Sequence, residues 1–136
     1  MKKSFTLVEI LVVTTIIVLL TATAVVTYST FLKQSRDAKR KADLEQIRAA
    51  LEMYRSNINT YPVGSVYSTT LSVLTTPVIY IQSLPTDPKN PTYTYYYSGS
   101  ASDYTLGSYL EGGITTCVAG QCGGNCNYCL GPYGQK

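Results

Sequence analysis

Apolar residues fill the first fifth of the chain almost without interruption and then thin out into a single helical stripe. Residues 5–28 are dominated by Val, Ile, Leu, Thr and Ala, and Glu9 is the only charge among these 24 positions. A helix of that length would extend roughly 36 Å, which is enough to cross a hydrocarbon layer of about 30 Å. The pattern therefore predicts a transmembrane helix over 5–28.

The apolar positions that follow repeat at helical spacing. One stripe of an amphipathic helix is formed by positions three or four apart: Leu44, Ile47, Leu51, Tyr54 and Ile58. Charged residues on the other faces offer two i,i+3 pairs, Glu45/Arg48 and Glu52/Arg55. Neither Gly nor Pro occurs between positions 5 and 57, so we predict one continuous helix of about 52 residues. Its amphipathic half covers 29–58.

Turn-forming residues end this helix and a short helical segment follows. The stretch 57–62 is rich in Asn and closes with proline, which stops a helix. Beyond it, Ser68 is predicted to cap a short helix whose Leu71 and Leu74 face inward.

Two tyrosine-rich segments then predict a pair of antiparallel strands, at 92–97 and 103–111. Their tyrosines are expected to pack on a half-buried sheet with the hydroxyl groups in water. The predicted fold class is α+β, with a long N-terminal helix packed on a small antiparallel β-sheet. The globular head is placed at 59–111, and the Cys- and Gly-rich remainder, 112–136, is expected to be an irregular loop.

Charge and composition narrow the classes of function. The net charge is +3, and the segment 33–41 carries five basic residues and one acid, which we expect at lipid headgroups or on a solvated helix face. The head has no basic stripe, so the sequence does not indicate nucleic-acid binding. Histidine is absent from the sequence, which excludes His-based triads and His-ligated zinc. No enzymatic activity is predicted.

Glu9 requires a counter-charge that its own helix does not supply. A carboxylate within hydrocarbon costs on the order of 2.5–3.5 kcal/mol. The nearest basic residues in sequence are Lys3 and Lys33, both outside the apolar run. The partner must therefore come from another chain, or from a positive charge created by processing.

The string Lys-Lys-Ser-Phe-Thr-Leu-Val-Glu-Ile-Leu at 2–11 resembles the processing site of type IV pilins and type II secretion pseudopilins. The resemblance implies that a prepilin peptidase removes a leader, 1–4, by cutting between Ser4 and Phe5, and then N-methylates Phe5. It also implies that Glu9 docks against the new Phe5 ammonium of a neighbouring subunit, a pair favoured at low dielectric. The family usually has Gly before the cut, where this chain has Ser4.

The head extends this resemblance. Tyr61-Pro62, the segment 80–88 and the tyrosine-rich strands ending at Glu111 are similar to the heads of major pseudopilins and small bacterial pilins. The resemblance implies a pilin-like structural subunit, held as a single-pass protein in the inner (cytoplasmic) membrane with its head outside. Basic-residue counting alone would place the head in the cytoplasm.

Three functions remain open at this point. The resemblance implies a helical homopolymer, either an extracellular type IV pilus or the periplasmic pseudopilus of type II secretion, and the sequence supports both about evenly. Implied partners are further copies of the chain, minor pilins, the prepilin peptidase, an assembly ATPase and a platform membrane protein. The third possibility is a membrane-anchored binding domain that does not polymerise.

Metal binding is disfavoured and disulfides are favoured. In many major pseudopilins a calcium ion orders the head near the last strands, and calcium takes about six to eight oxygen ligands. No carboxylate follows Glu111, so the sequence argues against a calcium site and predicts no cofactor. The candidates for two disulfides, with three possible connectivities, are Cys117, Cys122, Cys126 and Cys129. Zinc held by the four thiolates is the minority alternative.

Overall fold

A computed structural model describes residues 5–113, 117 and 119–136. The chain divides into two compact units, 1–35 and 36–136. Helix α1 (Leu7–Ile58) comprises 52 residues and contributes to both units, which confirms the predicted continuous helix. The expected leader, 1–4, lies outside the described residues.

The first unit is an apolar helix. Within the described residues, α1 is the one helix long and apolar enough to cross a membrane; its most apolar window has a mean hydropathy of 2.6 and none of it is buried inside the protein. Five threonine hydroxyls in this part donate to carbonyl oxygens one turn earlier on the same helix: Thr14, Thr15, Thr21, Thr23 and Thr27. These bonds satisfy polar groups that lipid could not satisfy.

The second half of α1 buries the predicted stripe in the second unit. Leu44, Ile47 and Leu51 are fully buried and Tyr54 is partly buried. Ile58 is 53% exposed, so its predicted place in the stripe is wrong. The helix ends there, and Asn59, with a φ of +67°, takes the left-handed conformation common just after a helix.

Only one of the two predicted helix ion pairs forms among these residues. Arg48 Nε lies 3.2 Å from Glu45 Oε2. The other two side chains both bind Tyr61, whose hydroxyl accepts from Arg55 Nη1 at 2.8 Å and donates to Glu52 Oε1 at 2.9 Å. The buried Tyr61 ring therefore ties the end of α1 to the chain that follows it.

The short helix begins slightly earlier than predicted. Helix α2 (Tyr67–Thr70) has Val66 at its N-cap, not Ser68, and continues into a 3-10 turn at Leu71–Leu74. The Tyr67 hydroxyl donates to the Pro85 carbonyl at 2.7 Å, which anchors the first residue of the helix. Leu71 and Leu74 are buried, as predicted.

A four-stranded antiparallel sheet packs against the second half of α1. Its order is β1-β2-β5-β6, and a separate two-stranded sheet joins β3 to β4. The strands are β1 (Tyr96–Gly99), β2 (Tyr104–Ser108), β3 (Ala119–Gln121), β4 (Asn125–Cys126), β5 (Tyr128–Gly131) and β6 (Gly134–Gln135). The predicted pair exists as β1 and β2, with Tyr97 opposite Leu106, but both strands are shorter than 92–97 and 103–111 predicted.

The prediction of an irregular loop over 112–136 is wrong. Strands β3 to β6 all lie within this segment, and β5 occupies an interior position of the sheet, next to β2. Its four residues are all buried. The short strands and abundant glycine leave no readable period in the sequence, whereas pairing with β2 supplies the order.

The tyrosines pack as predicted, but three of the most buried ones bond through their hydroxyl groups to partners within the protein. Tyr95 donates to Asp43 Oδ2 at 2.6 Å, and Tyr97 donates to the Pro62 carbonyl at 2.6 Å. The bonds of Tyr61 to α1 are the third case. Burial, followed by the bond to Asp43, raises the pKa of Tyr95 well above its usual range. These rings therefore serve the core and are neutral.

Candidate functional site

The N-terminal end of α1 brings Thr6 and Glu9 together. The Thr6 backbone N–H and its hydroxyl both donate to Glu9 Oε2 at 2.8 Å, and the Glu9 N–H donates to Thr6 Oγ1 at 3.3 Å. This reciprocal arrangement is a capping box, in which the third helical residue closes the helix start. Phe5 beside it is 79% exposed. Ser4 lies outside the described residues.

Sequence reasoning missed this capping box, although the signal was present. Thr6-Leu7-Val8-Glu9 has the Ser/Thr-x-x-Glu spacing that marks a helix start. In a single subunit the Glu9 carboxylate is therefore bonded to its own helix end. It is also exposed at the protein surface, so a neighbouring cation can reach it.

A cluster of charges occupies the second unit, and we call it the arginine cluster. It consists of six side chains: Arg36, Asp37, Arg40, Asp87, Lys89 and Glu111. The first three come from α1, and the other three come from the segments on either side of β1 and β2. The cluster therefore joins residues up to 75 positions apart in sequence.

Two bidentate pairs form the centre of the arginine cluster. Arg36 donates from Nε and Nη2 to the two oxygens of Glu111, both at 2.7 Å. Arg40 donates from Nε and Nη2 to Asp87, at 2.7 and 3.0 Å. Its remaining nitrogen, Nη1, donates to Asp37 at 2.8 Å and to Glu111 at 3.0 Å. A fork of this kind is the strongest geometry for an arginine–carboxylate pair.

The centre of the arginine cluster is buried, and this affects the pKa values of its members. The side chains of Arg40 and Asp87 are both fully buried. Burial opposes the charge on Arg40, but hydrogen bonds to its carboxylate partners outweigh that effect and raise its pKa above the usual range. Hydrogen bonds from Arg36 outweigh burial in the same way and hold the pKa of Glu111 well below its usual range. Arg40 and Glu111 are therefore both charged at neutral pH.

The expected position of the basic run is wrong for two of its members. Arg36 and Arg40 face the head and pair with its carboxylates, rather than lying at headgroups or in solvent. Lys33 and Lys39 are exposed, as expected. The sequence marks all four residues as basic. Only the positions of distant acids decide which of them pair with the head and which remain exposed.

The cysteines form two bridges in the structure. Cys117 pairs with Cys129, at a Cα–Cα distance of 5.8 Å, and Cys122 pairs with Cys126, at 5.3 Å. The minority alternative, zinc held by four thiolates, is therefore not supported. Among the described residues, no group of three or more His, Cys, Asp or Glu side chains is placed to hold a metal ion.

Asn127, between β4 and β5, was not anticipated as a structural residue. Its side-chain oxygen accepts from the Leu110 N–H at 2.6 Å, and its amide donates to the Leu110 carbonyl at 2.9 Å. The side chain therefore imitates a strand partner for the residue that follows β2. Short Asn-rich segments carry no signal from which such a role could be read.

The fold and these sites define a class of protein: a membrane-anchored, pilin-like α+β subunit. Residues 28–119 match the family described as type II secretion system (T2SS), protein G, over about two thirds of the chain. The chain belongs to this family of type II secretion pseudopilins, which are structural proteins and not enzymes. No curated protein and no solved structure matches it significantly.

Proposed function

We propose that this chain is a major subunit of a type II secretion pseudopilus, processed by a prepilin peptidase and polymerised through its N-terminal helix. The family match carries the proposal, because residues 28–119 include the amphipathic half of α1 and the whole predicted head, 59–111. The apolar surface of α1 supports it as well, since these side chains are exposed in the single chain and require lipid or other copies of the helix.

Glu9 and Phe5 are the proposed docking pair. Cleavage after Ser4 would create an ammonium at Phe5, which the peptidase would then methylate. In the assembled polymer this ammonium would replace Thr6 as a partner of the Glu9 carboxylate. An ion pair in low dielectric is much stronger than the same pair in water. Replacement of Thr6 by the neighbouring Phe5 ammonium as the partner of Glu9 would therefore favour assembly.

The proposed location is the inner membrane, with the head on its outer side and the polymer in the periplasm. The two disulfides support this orientation because bridges form and persist in oxidising compartments. Proposed partners are further copies of the chain, minor pseudopilins, the prepilin peptidase, an assembly ATPase and a platform membrane protein.

Intact-mass analysis and one substitution test the proposal. The mature protein should lack residues 1–4 and carry one additional methyl group. Glu9→Ala should be processed normally but should enter filaments poorly. Thr14→Ala is the matched control, since it removes a hydroxyl bonded within the same helix and leaves the charge unchanged. A Glu9→Ala subunit that enters filaments at wild-type levels would instead favour the non-polymerising, membrane-anchored domain.

A surface type IV pilus subunit is the second candidate. The disulfide-linked C-terminal segment favours it, because a filament exposed outside the cell benefits from covalent staples. Deletion of the gene separates the two functions. Loss of exported enzymes would indicate secretion, whereas loss of surface filaments with normal export would indicate a pilus.

A further inference from the structure

The arginine cluster occupies the carboxylates that a metal ion in the head would need. Calcium binds through about six to eight oxygens, usually with carboxylates among them. Near the last strands, Glu111 is bonded to Arg36 and lies 3.0 Å from Lys89 Nζ. Asp103, just before β2, is paired with Lys136 Nζ at 2.8 Å. The residues present therefore do not fit the calcium ion that the resemblance implies.

The geometry around Arg40 is that of a cation inside a cage of anions. One guanidinium contacts three carboxylates: Asp37, Asp87 and Glu111. The ring of Tyr93 covers it, with 5.4 Å between the guanidinium carbon and the ring centroid. A second cation placed among the same oxygens would meet the positive charges of Arg40 and Arg36 at close range.

The carboxylates also hold the chain that leaves β2. Asp37 accepts from the backbone N–H of Glu111 at 2.9 Å and from that of Gly112 at 2.8 Å. The segment after β2 is thus bound to α1 both through its backbone and through the Glu111 side chain. Side chains of the arginine cluster, which belong to the chain itself, therefore hold this segment against α1.

We propose that the head of this pseudopilin is ordered without calcium, and that the guanidinium groups of Arg36 and Arg40 supply the positive charge that a metal ion supplies in many related heads. The cations are part of the polypeptide, so the order of the head does not depend on the calcium concentration around it. The stability of the head depends instead on the two arginines.

Thermal unfolding of the full chain in detergent micelles tests both parts of the proposal. The wild-type protein should have the same Tm with EGTA as with millimolar calcium, the range in which extracellular calcium sites fill. Titration calorimetry with calcium chloride should give no binding heat. Arg36→Gln should lower Tm by about 5 °C or more in both media, since loss of about 1 kcal/mol shifts a domain of this size by that amount.

Arg48→Gln is the matched control because it removes an i,i+3 pair on the same helix that is more exposed than the Arg36–Glu111 pair. Its Tm should change little. Arg40→Gln should be more destabilising than Arg36→Gln, since it leaves the fully buried Asp87 without its positively charged partner. If Arg40→Gln fails to accumulate while Arg48→Gln accumulates normally, the proposal is supported.

Two results would overturn the proposal. The first is a rise in the wild-type Tm with calcium that EGTA reverses. The second is an Arg36→Gln variant that is no less stable than Arg48→Gln.

Discussion

At the scale of single residues, the head depends on charges that are buried in pairs. Arg40 and Asp87 have fully buried side chains, and either one alone would carry a large desolvation penalty. The bidentate fork and the additional bonds to Asp37 and Glu111 offset that penalty. A cluster of this kind is sensitive to loss of one member, because the partner that remains is buried and charged.

Glu111 should make the stability of the head dependent on pH in the acidic range. Its pKa is lowered on folding, so its contribution is complete above its unfolded pKa of about 4.3 and is lost as pH falls below that value. The guanidinium groups of Arg36 and Arg40 remain protonated throughout this range, because the pKa of each is raised. The slope from this one group is at most about 1.4 kcal/mol per pH unit.

Urea unfolding of the wild type and Glu111→Gln at several pH values measures this effect. At neutral pH the wild type should be clearly more stable, and the difference should shrink steadily below pH 4. Asp103→Asn, at a more exposed ion pair with Lys136, provides the comparison and should have a smaller effect. A difference between wild type and Glu111→Gln that is constant with pH would contradict the role given to Glu111.

At the scale of elements, α1 follows from its own sequence while β5 depends on its neighbours. Leu44, Ile47 and Leu51 are buried because their helical spacing puts them on one face. Strand β5 is interior because β2 and β6 pair with it on either side. Its partners in β2 lie about 20 positions away in sequence, and its own short segment carries little strand signal.

Asn127→Ala should destabilise the junction between β5 and the end of β2. The change leaves the Leu110 N–H and carbonyl without their side-chain partner in a buried position, which costs about 1–3 kcal/mol. Asn125→Ala is the matched control, because Asn125 is exposed two residues earlier. In denaturant unfolding, Asn127→Ala should be less stable than Asn125→Ala. Equal stabilities of the two variants would show that the Asn127 bonds make no net contribution.

At the scale of the whole molecule, an apolar helix and a small head meet different environments. The first unit exposes its side chains and requires lipid or other helices, whereas the second has its own core. The second unit, 36–136, is small enough to bury only a modest core, so covalent staples contribute a large share of its stability. Cys117–Cys129 connects the segment after β2 to the interior strand β5.

Removal of this bridge should weaken the head substantially. Cys117→Ala/Cys129→Ala should lower the free energy of unfolding by about 2–5 kcal/mol, as for other native disulfides. Reduction of the wild type should have at least the same effect. Reduction of the double variant, which breaks only Cys122–Cys126, should lower the free energy of unfolding by a smaller amount. That bridge spans only 4 positions, against 12 for Cys117–Cys129. A reduced wild type that unfolds at the same urea concentration as the oxidised protein would refute this.

The sequence by itself determined the long apolar helix, most of the buried stripe of α1 and the α+β class. It also contains the string at 2–11, whose processing remains a prediction. Hydropathy, helical period and a contiguous motif are local properties, so they can be read before the chain folds. The roles of Phe5 and Glu9 remain predictions, since they belong to an assembled polymer.

Only the tertiary structure decided which carboxylates meet Arg36 and Arg40, how the four cysteines pair, and that β5 enters the sheet. The arginines and their partners in the head are separated by 47 to 75 positions. The composition of the basic run is the same whether its members face lipid, water or a buried acid. These pairings depend on which distant segments come together. For the charged residues, burial in the folded head makes the loss of a partner costly in free energy.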